Sequence, residues 1–134
     1  MSRHVYQCRV RFSDVDVYGH VNNVKYFEYF QEARLAFFMG LGRGEDEDHG
    51  FAVVVARVDV DYKRPILFRS EPYPIESWIS RVGNSSFVIS AEIKDGDTVL
   101  SRADATLVTF DVKTQRARPM GEAERERLLA VLEG

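Results

Sequence analysis

The chain has 134 residues, 45% of them hydrophobic and 29% charged, with a formal net charge of −3. That length suits one domain, residues 1–134, with a modest core, and the composition is that of a folded globular chain. The acidic balance and the lack of any lysine–arginine block argue against nucleic acid as a partner, and no apolar run approaches membrane-spanning length.

The chain opens with "MSRHVYQCRV", which has no apolar core for a signal peptide. Cys8 stands alone, so no intrachain disulfide can form, and a reducing cytoplasm is the expected location. Within "YQCRVRF", Tyr6, Cys8 and Val10 alternate with Gln7, Arg9 and Arg11, which predicts a first strand. A turn-rich piece follows, and then a helix of about 17 residues from Asn23 to Met39. Tyr26, Phe30, Ala33 and Phe37 fall on one face of it, and Phe27 and Phe38 widen that face. So wide an apolar stripe predicts a helix wrapped on more than one side. "GLGRGEDEDHG" then predicts a solvated loop.

From Phe51 the period changes to two. "AVVVA" is apolar on both faces, as in a strand buried on both sides, and "RVDVDYK" alternates until Pro65 ends the strand. "PYPIESWISRV", "SSFVISAEIK" and "TVLSRADATLVTFDV" predict three more strands, the last two joined at Asp95-Gly96. "GEAERERLLAVLEG" predicts a surface helix resting on Leu128 and Leu132. One strand, a long helix and four further strands amount to an α+β fold with an antiparallel sheet, curved so as to cover the helix.

Ser13 to Arg34, "SDVDVYGHVNNVKYFEYFQEAR", holds the unusual chemistry. It delivers two aspartates, a histidine and two asparagines to the start of the helix. That start carries unpaired N–H groups and a partial positive charge. Asn22 is a candidate N-cap, Gly19 allows a positive-φ turn, and Asp14 or Asp16 can accept from nearby N–H groups. The same physics permits a second use. Helix-start N–H groups can stabilise an oxyanion while a carboxylate beside them attacks a carbonyl or activates water.

"FSDVDVYGHVNNVKYFEYFQEAR" resembles the signature of the hotdog-fold acyl-CoA thioesterases of the 4-hydroxybenzoyl-CoA thioesterase family. The predicted element order agrees with that fold over nearly the whole chain. The resemblance implies a curved five-stranded antiparallel sheet wrapped around one long central helix, with a short C-terminal helix. It also implies hydrolysis of an acyl-CoA, or acyl-carrier-protein, thioester. Asp16 matches the family's catalytic aspartate, and Asp14 a supporting acid. The N–H at Asn23 stands where the family polarises the thioester carbonyl. His20 matches a histidine of the related plant-type string "HVNNVKY", but Tyr18 stands where that string has a catalytic asparagine, which favours the single-aspartate scheme. Gly19, Tyr26, Lys63, Arg64 and Ser86 are the candidate substrate-binding residues. Lys63 and Arg64 are offered to the coenzyme A phosphates, with Arg57, Arg69 and Arg81 as further cations. The acyl pocket is expected between two subunits of a homodimer or a dimer of dimers joined edge to edge, and no cofactor is expected beyond the coenzyme A of the substrate.

Other chemistries have little support. "VGNSSF" lacks the second glycine of a serine-hydrolase elbow, and His4, His20 and His49 have no paired metal spacing. Cys8 reads as a small core residue. Two other functions stand beside hydrolysis: an acyl-thioester dehydratase or hydratase using His20, and a non-catalytic acyl-CoA-binding protein.

Overall fold

The computed structural model describes residues 3–41 and 52–133. The chain begins with β1 (His4–Cys8) and a short 3₁₀ turn at Phe12–Asp14. It continues through α1 (Lys25–Leu41), β2 (Val53–Tyr62), β3 (Tyr73–Val82), β4 (Ser86–Asp95), β5 (Thr98–Asp111), β6 (Arg116–Ala117) and α2 (Glu122–Ala130). The sheet order is β1-β3-β4-β5-β2, antiparallel throughout, with β6 adding a two-residue pairing to the end of β5. This is the hotdog architecture, with the five expected strands plus β6.

Topology explains why the helix lies where it does. β1 and β2 are opposite edges of the sheet, so the helix that joins them must cross its face. At 1.5 Å per residue α1 spans ~25 Å, and ten-residue strands span ~33 Å, so the sheet is long enough to cradle it. Register shifts at Val55/Arg57, Ile79/Arg81 and Ile93/Lys94 mark bulges, which bend and twist the strands around the helix. The predicted stripe Tyr26, Phe30, Ala33 and Phe37 is buried against Ile75, Ile79, Phe87, Ile89 and Ile93 from the sheet.

Three expectations need correction. The helix begins at Lys25 rather than Asn23, because three successive i→i+3 bonds (Lys25 N–H to Asn22 O, Tyr26 to Asn23, Phe27 to Val24) form a tighter entry turn. Asn22 therefore contributes its carbonyl, and its side chain makes no capping bond among the described residues. The sheet covers only one side of α1: Phe27 is 44% exposed, and Leu35 and Met39 also face outward. "AVVVA" is not buried on both sides within the chain. It forms part of the β2 edge, where Val54 and Val55 are 43% and 50% exposed.

The β4–β5 turn is Gly96-Asp97, between paired Asp95 and Thr98, with Gly96 at φ 59°. Leu128 of α2 is fully buried, and Leu132 beyond it pairs with Ile79. The loop predicted after the helix, with His49, falls outside the described residues.

Candidate active site

The segment between β1 and α1 is a small hairpin. Val15 pairs with Val21, and Asp16 N–H donates to the His20 carbonyl at 2.9 Å. Gly19, at φ 75°, closes the turn by donating to the Asp16 carbonyl at 3.0 Å. An L side chain at that φ would be strained, which accounts for the glycine. The hairpin rests on residues 66–68, the return path from β2 to β3: Val21 N–H donates to Ile66 O and Phe68 N–H to Gly19 O.

This turn fixes the Asp16 carboxylate. Its Oδ1 accepts from Tyr18 N–H at 2.9 Å and from His20 N–H at 3.1 Å, while Oδ2 has no partner among the described residues. The side chain is exposed. One oxygen is thus anchored and the other is presented outward. His20 serves the turn through its backbone, and its ring packs against Tyr18 at 6.3 Å between centroids.

Two residues beyond the hairpin arm the helix entry begins. The N–H groups of Asn23 and Val24 meet no acceptor among the described residues. The Asn23 carbonyl is held by the Tyr62 hydroxyl at 2.9 Å, which ties the entry turn to the β2 edge. Sequence reading missed this role of Tyr62; its signal was the inward phase of the β2 alternation.

Asp14 lies on the other side of the hairpin and is fully buried. Its carboxylate accepts from the Tyr29 hydroxyl at 2.6 Å, from Arg11 Nη2 at 2.9 Å, and from the Arg11 backbone N–H at 3.1 Å. Burial pushes this carboxyl up, but the Tyr29 and Arg11 hydrogen bonds outweigh it and hold the group below the usual aspartate range. The Tyr29 hydroxyl is pushed up, first by burial and then by Asp14. Since the Asp14 carbonyl also accepts from Asn22 N–H, this buried knot anchors the hairpin to α1. From sequence Tyr29 read as a core aromatic of the helix, which its burial bears out, but its bond to Asp14 was not foreseen.

The remaining candidates divide. Lys63 and Arg64 are exposed on the same return segment, their backbone N–H groups bound to Leu100 O, and neither side chain forms an ion pair among the described residues. Tyr26 is 3% exposed, with its hydroxyl accepting from Ile66 N–H, so it is a core residue under the hairpin. Ser86 begins β4 at the end away from Asp95 and is one strand length, ~30 Å, from the hairpin end of the sheet. A single chain does not bring it to Asp16. Arg69 is committed elsewhere, donating to Asp95 at 2.9 Å and lying over the Tyr73 ring, and Arg57 pairs with Asp59. Among the described residues no group of three His, Cys, Asp or Glu side chains is placed to hold a metal ion.

Comparison with known proteins places the chain in a family. A family model described as the thioesterase-like superfamily matches residues 10–128. The long-chain acyl-CoA thioesterase FadM of Escherichia coli K12 is 33% identical over 128 residues, covering 91% of this chain and 94% of FadM. A thioesterase from Thermus thermophilus, solved with coenzyme A and Zn, is 31% identical with a TM-score of 0.80, covering 94% of this chain and 91% of that one. The probable thioesterase YbaW of Escherichia coli is 31% identical with a TM-score of 0.79, covering 96% and 98%. Of the three functions open from sequence, hydrolysis is the one these relatives' names share. The chain belongs to the thioesterase-like superfamily and is a thioester hydrolase of the hotdog fold.

Proposed function

We propose that the protein hydrolyses acyl-CoA thioesters with Asp16 as the reacting carboxylate. The observation that carries this reading is the asymmetry of that exposed carboxylate: Oδ1 is pinned by two backbone N–H groups while Oδ2 has no partner among the described residues. The thioester carbonyl oxygen lies at the helix entry, where the Asn23 and Val24 N–H groups lack acceptors among the described residues. Fixed donors of this kind meet the negative charge that develops on oxygen, and losing one typically costs ~10²–10³ in rate.

Two routes use the same atoms. Asp16 Oδ2 attacks the carbonyl carbon, the C–S bond breaks, and the thiolate leaves and takes a proton from solvent; water then cleaves the mixed anhydride. Alternatively, Oδ2 takes a proton from a water that attacks the carbonyl directly. Thiolate leaves readily, so neither route calls for a metal or cofactor beyond the coenzyme A of the substrate. Lys63 and Arg64 take the coenzyme A phosphates, since both are exposed and free of ion pairs among the described residues. His20 positions Asp16 through its backbone, Gly19 permits the turn, and Tyr26 supports the site from the core. Ser86 has no part in this reading.

The protein works as a homodimer or a larger assembly. Support comes from the open β2 edge with Val54 and Val55 and from the uncovered Phe27 on α1, apolar surfaces that a second copy would cover. Among the described residues no helix is long and apolar enough to cross a membrane, and the lone Cys8 suits a reducing cytoplasm.

Thiol release from a panel of acyl-CoA esters of different chain length and aromaticity, with an acyl-carrier-protein ester beside them, tests the substrate class. Turnover confined to the carrier-protein ester would overturn the coenzyme A assignment. Single-turnover hydrolysis in ¹⁸O water tests the first route: label in Asp16 means that the anhydride forms and is cleaved at the aspartyl carbon.

A further inference from the structure

Tyr62 is the last residue of β2, and the sheet fixes where it sits. Its backbone is paired with Ser101 of β5, and the buried Ser101 hydroxyl donates to the neighbouring Asp61 carbonyl at 2.7 Å. The next two N–H groups, of Lys63 and Arg64, both donate to the Leu100 carbonyl, at 3.0 and 2.9 Å. The Tyr62 ring stands edge-on to that of Tyr26, 4.7 Å between centroids, and Tyr26 is itself buried with its hydroxyl bound to Ile66 N–H. Tyr62 is half exposed, yet its strand end and its ring are both held by the core.

The hydroxyl so aimed donates to the Asn23 carbonyl at 2.9 Å. That carbonyl and the Val24 N–H are opposite ends of one planar peptide unit, so a bond that holds the oxygen also sets where the N–H points. The Asn23 oxygen accepts a second bond, from Tyr26 N–H at 3.3 Å. Linked hydrogen bonds polarise one another, and donors on the oxygen make the N–H of the same unit a stronger donor. The preceding peptide, which carries the Asn23 N–H, lacks this help. Among the described residues its Asn22 oxygen accepts only from Lys25 N–H.

A structural tie alone is a weak use for this contact. The entry turn is already closed by the bonds from Lys25, Tyr26 and Phe27, and without Tyr62 the Asn23 carbonyl would keep its bond from Tyr26. What Tyr62 adds is direction and polarisation at a single peptide unit. We infer that Tyr62 is a positioning residue for hydrolysis, its hydroxyl aiming and polarising the Val24 N–H toward the oxygen of the reacting thioester. This rests on the reading of the helix entry as the place of that oxygen. Tyr62 touches no reacting atom and acts through the peptide.

Tyr62→Phe removes the hydroxyl and leaves the ring on Tyr26, so the fold should hold with a melting temperature within ~5 °C of wild type. A donor turned and weakened costs less than one removed, and kcat should fall ~10-fold with KM changed by less than ~2-fold. Two coenzyme A analogues separate this from a loss of binding. A thioether without the carbonyl should bind both proteins equally. A trifluoromethyl ketone, whose tetrahedral adduct carries the oxyanion, should bind the variant ~10-fold more weakly. In isotope-labelled protein the Val24 amide signal should move, while those of Tyr18 and His20, which hold Asp16, stay in place. The role of Tyr62 is overturned by a kcat within ~2-fold of wild type, by equal weakening of both analogues, or by a Val24 signal that does not move. Activity lost in Asp16→Asn but kept in Tyr62→Phe overturns Tyr62 and leaves Asp16 in place; the reverse pattern overturns Asp16 and keeps Tyr62.

Discussion

The Tyr29 hydroxyl donates to the buried Asp14 carboxylate at 2.6 Å, joining the second turn of α1 to the hairpin that carries Asp16. Removing that hydroxyl leaves Asp14 with Arg11 alone. Tyr29→Phe is expected to lower stability by about 2 kcal/mol near neutral pH, as for a hydrogen bond to a charged group. Urea unfolding with an unchanged m-value would show it.

The pH dependence follows from the direction of the Asp14 shift. Its folded-state pKa is depressed, so the stability it contributes is present above the ordinary aspartate value of about 4 and fades as pH falls through the folded value. Tyr29→Phe removes one cause of the depression. The stability gap between wild type and variant should thus be widest above about pH 5 and narrow below about pH 4. A gap that widened in acid would refute the linkage.

Cys8 is buried in the core, and its thiol is pushed up to about 12, first by burial and then by the charge of Asp14. The thiolate is the reactive form, so the native protein should react with a disulfide reagent at least ~10²-fold more slowly than the urea-unfolded chain. Rapid labelling of the native protein would contradict this placement.

Much of this was legible in the sequence because it rests on periodicity. Tyr26, Phe30, Ala33 and Phe37 have helical spacing, and all four are buried where the spacing puts them. The turn after Asp16 was legible because Gly19 allows a positive φ there, but the Val15–Val21 pairing that makes the segment a hairpin was not. Pattern alone could not tell an edge from a centre, so Val54 and Val55 read as buried although β2 is an edge. β6 was too short to show a period. Arg69 looked like a free cation because its partner Asp95 is 26 residues away.

The β2 edge gives a direct check on assembly. Val54→Lys with Val55→Lys places two charges on exposed positions, so the fold of one chain should change in stability by less than about 1 kcal/mol. Light scattering should find an assembly of two or more copies for the wild type and a single chain for the variant. Monomeric wild type, or an unaltered assembly in the variant, would show that copies do not join there.

The account as a whole depends on the outward-facing oxygen of Asp16. Asparagine at this position keeps an Oδ1 to accept from the Tyr18 and His20 N–H groups, so the hairpin and the melting temperature should be preserved. The measurement is kcat for Asp16→Asn on the best acyl-CoA substrate. A fall of ~10³-fold or more with an unchanged fold is the predicted result. A kcat within a few-fold of wild type would contradict the assignment of Asp16 as the reacting carboxylate.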